Sequence, residues 1–329
     1  MSQPFVRRMP LPGLLFAAAL LVGFAVGASR ESQAGQSTKL RLAYGAKIHY
    51  APQIIALKKG YFAAEGLDVE AKVVQAGIQA AEAMTSGSAD AAVMGDAPAI
   101  IAVASGMPLR IVASYGGGEK MHRLVAAPGS GIHRPEDLVG KRVAVQMGSS
   151  THGAFLLFLS KNKVDAKDVK LVPLDPSDMT EAMLAGQIDA GVGSEPWPSN
   201  IEERVKGSYE AATLSGLGNN FPLVMLVTDR YGKERPEAVV AALRATKRAV
   251  EFMHQHPDEA AAVISETTGV PAAKERKIMD TLEWKVVLDD ATVNSLKQTA
   301  GFLYTQGKIQ RLPDWNKVVD RSSVRRALR

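Results

Sequence analysis

The chain has 329 residues, 46% of them hydrophobic and 22% charged, with no cysteine and a net charge of +5. That length supports two lobes with separate cores, and the composition is that of an ordinary globular protein. The modest charge does not imply nucleic acid, and without cysteine the chain offers neither disulfides nor a lipid-accepting thiol.

Arg7 and Arg8 precede an apolar run over residues 11–28 that ends in Val26, Gly27 and Ala28, small residues of the kind signal peptidase cuts after. Pro12, Gly13, Gly23 and Gly27 make the run a poor spanning helix, so residues 1–28 are expected to be a cleaved secretory leader. Its removal takes two positive charges and leaves +3. Residues 29–38 are small and polar, a tether, and the mature chain is expected to be soluble and periplasmic. Strands are predicted over 39–44, 67–74, 91–94, 109–115 and 123–127, with helices over 51–59, 78–86 and 97–105 between them. After Pro128-Gly129-Ser130-Gly131 the alternation restarts with a strand at 142–146, a helix at 151–162 and a strand at 169–173. Such alternation implies mainly parallel sheets covered on both faces. Beyond an apolar strand at 223–228 the pattern turns helical, over 236–254, 257–267, 271–282 and 291–306, with Pro at first turns.

The segment EAMTSGSADAAVMGDAP at 82–98 returns without a gap as EAMLAGQIDAGVGSEPW at 181–197, shifted by 99 residues. Each copy reads as helix end, Gly cap, buried strand and acidic loop. Ligands of open α/β sheets bind beyond the carboxyl ends of strands, so the repeat predicts equivalent rims on two lobes facing one cleft, with Asp96 and Glu195 at them. Lobe 1 is expected over 39–125 and 225–329 and lobe 2 over 126–224. The crossings are predicted at 124–127 and 223–228, forming a two-strand hinge.

Several residues at these rims carry polar chemistry. Ser149, Ser150, Thr151 and His152 open the helix at 151–162, where unpaired N–H groups, hydroxyls and the positive helix end suit an anion; ordinary capping explains the same pattern. Gln79 sits at the matching turn of the other lobe. His49 and Tyr50 follow the first strand and can donate hydrogen bonds, and Tyr115 ends another strand. Trp197 offers a flat apolar face beside Glu195, or belongs to a core. Asn220 lies in a Gly-rich loop before the return crossing. No second His or Cys stands at ligand spacing from His49, so no metal or cofactor is expected. Gly-x-Ser-x-Gly and phosphate-loop signatures are missing, which together with export favours a binding protein over an enzyme.

The runs LRLAYG (40–45), LKKGYFAAEGLDVE (57–70), GDAP (95–98), RPEDLVGKRVAVQMGSSTH (134–152) and AGQIDAGVGSEPW (185–197) resemble the periplasmic substrate-binding proteins of ABC importers for nitrate, sulfonates and taurine, a family that includes binders of thiamine-pyrimidine precursors. The resemblance covers nearly the whole mature chain. It implies an α/β protein of the type II periplasmic binding fold, two doubly wound lobes closing on ligand, and docking of the closed, monomeric protein on a membrane permease served by an ATPase. It also places the first-strand loop, Gly95-Asp96, Ser149 to Thr151 and Glu195-Pro196-Trp197 at ligand loops. Acids in the cleft need ligand N–H groups or a base such as Lys47, so a zwitterion satisfies both signs, and a simple sulfonate fits if Lys47 neutralises an acid. The alternative is an enzyme or binder for a pyrimidine-type thiamine precursor on the same fold.

Overall fold

The computed structural model describes residues 37–329, so the expected leader over 1–28 and all but the last two residues of the tether lie outside the described residues. Eleven strands, β1 (Thr38–Gly45), β2 (Leu67–Val74), β3 (Ala91–Met94), β4 (Leu109–Gly117), β5 (His122–Ala126), β6 (Arg142–Val145), β7 (Lys170–Pro173), β8 (Ala190–Ser194), β9 (Tyr209–Thr213), β10 (Leu223–Thr228) and β11 (Glu283–Val287), form two sheets. Their orders are β11-β4-β10-β3-β1-β2 and β7-β6-β8-β5-β9.

Each sheet carries a parallel triplet, β2-β1-β3 or β7-β6-β8, followed by an antiparallel strand. That antiparallel strand is the one that has just arrived from the other lobe, β10 in the first and β5 in the second. The expectation of mainly parallel sheets therefore holds only through the triplets, since a chain returning from a neighbouring lobe enters the sheet from the opposite end. Because β5 and β10 lie wholly inside their sheets, the crossings are the connections at 118–121 and 214–222, not the strands at 124–127 and 223–228. The two connections touch: the Gly118 amide donates to the Asn220 carbonyl at 2.6 Å, and a Cβ on Gly117 would stand 2.6 Å from the same oxygen. Glycine is required there by close approach of backbone.

The repeat has a structural cause. In the first lobe the Arg41 side chain forks onto Asp90, Nε to Oδ2 at 2.9 Å and Nη2 to Oδ1 at 2.5 Å, while Nη1 donates to the Gly87 carbonyl. In the second, Arg142 does the same to Asp189, at 3.2 and 2.7 Å, and to the Gly186 carbonyl at 2.8 Å. Gly87 and Asp90 are the 99-residue counterparts of Gly186 and Asp189. A bidentate guanidinium–carboxylate pair fixes direction as well as distance, so each fork ties the first parallel strand of its lobe to the start of the third.

Two elements depart from the sequence pattern. The helix expected to reach 282 spans Ala272–Met279, and β11 follows as an edge strand on β4. Its alternating burial, with Trp284 and Val286 inside and Glu283 and Lys285 outside, has the period of a strand. β9, with the sequence YEAAT, lacks β-branched residues in its middle and gives no such signal. The hydrophobic core runs continuously through both lobes because the helix Ser150–Lys161 of the second lobe is buried along nearly its whole length against the helices Asp96–Ala104 and Asp290–Thr305 of the first. A smaller cluster around Val125, Met179 and Ile201 fills the other face of the second sheet.

Asp90→Asn should lower stability by about 1.5–3 kcal/mol, the range for hydrogen bonds to a charged group, and Asp189→Asn by less because its fork is more exposed. Burial opposes ionisation of Asp90 but its hydrogen bonds from Arg41 outweigh that, and the bond from Arg142 holds Asp189 below the usual carboxylate range. A depressed folded value means stability that is present above the unfolded value and lost as pH falls through the folded one. Thermal unfolding across acid pH should therefore show each Asn variant converging on the wild type as pH falls. A gap that stays constant down to full protonation would contradict the assignment.

Candidate functional site

A cavity of about 120 Å³ opens between the lobes, at the carboxyl ends of the parallel strands of both sheets. From the first lobe come Lys47, His49 and Tyr50 after β1, the turn at 76–78 after β2, and Gly95 after β3. The second lobe contributes the stretch 146–151 after β6 and Val192 to Ser194 at the end of β8; Met121 comes from the outward crossing, and His122 and Leu223 are the first residues of β5 and β10. Both sheets thus present ligand-type rims to one space, as open α/β sheets do.

Two helix starts border this cavity, those of Gly77–Thr85 and Ser150–Lys161. The first has no side-chain cap. In the second, Ser149 is the N-cap: its hydroxyl accepts from the His152 amide at 3.2 Å and donates to the Gln146 carbonyl at 2.7 Å. The backbone amides of Ser150 and Thr151 find no acceptor among the described residues. Orphan amides and positive helix ends on both sides of a small space favour negative charge. Among the described residues no carboxylate lines the cavity.

Among the described residues the ionisable groups of the lining are one lysine, two histidines and one tyrosine. Burial lowers the Lys47 ammonium from its ordinary value, opposed by Asp175. His49 is held at about 3 by burial, aided by Lys47 and His122, and His122 is held at about 3 by burial. Both are neutral imidazoles at physiological pH. Tyr50 is pushed up to about 12 by burial and remains a neutral donor.

Of the sequence-predicted residues, His49, Tyr50, Ser149, Ser150 and Thr151 border the cavity and seven do not. Asp96 is buried and turned to protein partners: its Oδ1 accepts from the Ala97 amide at 2.8 Å, its Oδ2 from the Thr299 hydroxyl at 2.8 Å, and Ser150 of the other lobe adds a further hydrogen bond. Glu195 accepts from Arg123 Nη1 at 2.6 Å and from the Ser199 amide at 3.4 Å. The expectation that these two acids meet a ligand gives way to pairing with protein groups, because a buried carboxylate needs partners whether or not a ligand is bound. Gln79 is exposed, its side chain accepting from the Gln75 amide. Tyr115 is fully buried. His152 lies behind the helix start, where Nδ1 accepts from the Gly148 amide at 3.3 Å. Trp197 and Asn220 stand outside the lining, and Asn219 rather than Asn220 spends its side-chain amide, on Thr299 at 2.8 Å.

Sequence reasoning missed Met121 and His122. His122 is the first residue of β5, immediately after the crossing, and the run Gly116-Gly117-Gly118 was the available sign that backbone passes close to something there. The lobes meet where Gly95 faces Ser150: a Cβ on Gly95 would overlap the Ser150 side chain.

Burial raises the Asp96 carboxyl above its ordinary range, against the hydrogen bonds from Ser150, Thr299 and Ala97. A raised folded value means stability that is complete below the unfolded value and is lost as pH rises through the folded one. Asp96→Asn keeps the shape and cannot ionise. Its melting temperature should therefore gain on the wild type as pH rises from about 4, the ordinary carboxylate value, towards neutrality. A difference that does not change with pH would show that Asp96 carries no such strain.

A model of the NMT1/THI5-like family matches residues 47–260. A protein of Bacillus subtilis (strain 168) named for aliphatic sulfonate binding is 26% identical over 308 residues, 92% of each chain. Among solved structures, the alkanesulfonate-binding protein of Xanthomonas axonopodis pv. citri, bound to MOPS, superposes with a TM-score of 0.78 at 23% identity, covering 88% of this chain and all of that one. The periplasmic aliphatic sulphonate binding protein of Escherichia coli gives 0.79 at 23% identity, over 86% and 92% of the two chains. These superpositions identify the architecture as the type II periplasmic binding fold.

Proposed function

Because the chain belongs to the NMT1/THI5-like family, we propose that it is a periplasmic solute-binding protein that captures a small organic anion of the sulfonate type and delivers it to an ABC importer. The observation that carries this reading is the cavity's charge: two helix starts, Lys47 and two imidazoles surround it, and among the described residues no carboxylate does. An anion is the one ligand class for which every one of these groups is favourable. The names of the relatives described above agree with it.

The finer terms follow. Asp96 and Glu195, the acids that would hold an ammonium group, are engaged elsewhere, so a sulfonate without an amine suits the cavity better than a taurine-like zwitterion. The lobes turn about the connections at 118–121 and 214–222 and close where Gly95 receives Ser150, and the closed monomer docks on the permease that works with its ATPase. Export relies on the leader read at 1–28. Among the described residues no helix is long and apolar enough to cross a membrane. The alternative, an enzyme or binder for a pyrimidine-type thiamine precursor, draws less support from this cavity, because a neutral heterocycle gains little from two positive helix ends.

Thermal-shift measurements on the mature protein with methanesulfonate, ethanesulfonate, taurine and pyrimidines test the reading. An alkanesulfonate at a hundred times its dissociation constant should add about 2.7 kcal/mol of stability. Taurine should bind at least about tenfold more weakly than ethanesulfonate, since its ammonium group would be buried unpaired. Stabilisation by taurine or a pyrimidine above that by any simple sulfonate would overturn it. Glu195→Gln should leave the affinity within about twofold, a change well under 1 kcal/mol.

A further inference from the structure

His122 is 1% exposed and borders the cavity. Its ring is fixed from two sides. Phe221, on the return crossing, packs edge to face at 4.9 Å between centroids, and Nδ1 stands 3.1 Å from the Thr151 hydroxyl at the helix start. Nε2 has no hydrogen-bond partner among the described residues. His49, 6% exposed, also borders the cavity with an unpartnered Nε2, and no hydrogen bond reaches its other ring nitrogen among the described residues. A buried polar atom without a partner costs free energy, so two of them at one cavity mark where a ligand supplies what the protein does not.

Among the described residues no acid borders the cavity around these rings, and Asp175 acts on Lys47 from outside the lining. The loop after β1 brings Lys47, His49 and Tyr50, with Tyr115 of β4 beyond them; the helix start brings Thr151; β8 brings Ser194 opposite His122; and the return crossing brings Phe221. Resting on the anion reading above, we propose that His122 is the specificity-determining residue of this cavity and that it takes up one proton from solvent when a strong-acid anion binds. The proton adds to the bare ring nitrogen. Both N–H groups then have acceptors, the Thr151 hydroxyl for Nδ1–H and an anion oxygen for Nε2–H, and the imidazolium is fully paired. His49 lacks a second acceptor and stays a neutral donor.

The sign is fixed by the change in environment. Without an anion, burial keeps His122 at about 3, and the ring is neutral at every working pH. An anion against Nε2–H favours the charged form and raises that value. The complex then holds one more proton than the separated partners, so affinity rises as pH falls, by at most about tenfold per pH unit.

Titration calorimetry with ethanesulfonate, which stays ionised throughout, reads this directly in two buffers of different ionisation enthalpy, neither of them a sulfonate. Between about pH 8 and about pH 5.5 the affinity should rise by about tenfold or more, with up to one proton taken up per ligand. His122→Gln should remove both the slope and the uptake. His49→Gln should weaken binding and keep the slope. Imidazole nitrogen resonances of the wild type provide the reading that does not depend on a variant folding: on adding ethanesulfonate at about pH 6, one ring should move to the imidazolium position. Binding with no proton uptake and no pH slope overturns this inference and leaves the anion reading standing. If neither ethanesulfonate, methanesulfonate nor sulfate binds, both fall together.

Discussion

A carboxylate that is buried must be satisfied by the protein, and the placement of Asp96 organises the centre of this molecule. Its partners are drawn from three places: the amide that follows it in its own helix, Thr299 from the helix Asp290–Thr305, and Ser150 from the other lobe. Thr299 in turn accepts from Asn219 on the return crossing, whose side-chain oxygen takes the Phe221 amide at 2.8 Å. That last bond supports the left-handed backbone of Phe221, φ 43, which sets the ring that packs on His122. One buried acid thus connects the first lobe, the hinge and the helix start of the second lobe, and it does so by turning away from the cavity.

The consequence is an inversion of sign. A cleft whose two rim acids pointed inward would select cations or amines; with both acids withdrawn, no carboxylate among the described residues lines the cavity. Glu195 is withdrawn by the same logic through a different partner, Arg123, which Glu202 and Glu210 also hold. Arg123 carries three acids and leaves none of them for the cleft. The relation between lobes that the repeat reveals is therefore one of scaffolding. Arg41–Asp90 and Arg142–Asp189 lock the first and third strands of each triplet and aim their loops, while Lys47, His49 and His122 at the cavity lie outside the repeat.

This division explains what was legible in the chain. The two-lobe α/β plan follows from strand–helix alternation, Gly caps and the echo at 99 residues, because these are local patterns that decide local structure. The helix start at Ser149 to Thr151 was legible for the same reason, as was the rim at His49 and Tyr50. Direction within a loop was not. Asp96 and Glu195 occupy the expected loops, yet whether a side chain points to a cleft or to a neighbouring helix is settled by Thr299, more than 200 residues further along the chain, and by Arg123, 72 residues back. His122 was illegible because it opens β5, a strand whose apolar run reads as a crossing between lobes and which pairs inside the second sheet. A crossing moved by a few residues decides whether that imidazole belongs to a sheet or to the hinge.

The position of His122 joins specificity to motion. It follows the outward crossing directly, packs on the return crossing through Phe221, and touches the second lobe's helix start through Thr151. On the proposed reading, rotation of one lobe on the other passes through the two connections that flank this ring, so a change in its charge is felt at the axis of closure rather than at the rim. Lys47, by contrast, stands on the first-lobe rim and meets only one face of the cavity. On the proposed reading an anion held between them attracts both, and the attraction across the cleft draws the lobes towards the contact of Gly95 with Ser150 that the structure displays. Differential affinity for the closed arrangement is what a ligand needs in order to close a clamp. A charge that appears at the hinge only when the ligand is present supplies it, whereas a permanently charged residue at the same place would attract ligand without distinguishing the two arrangements.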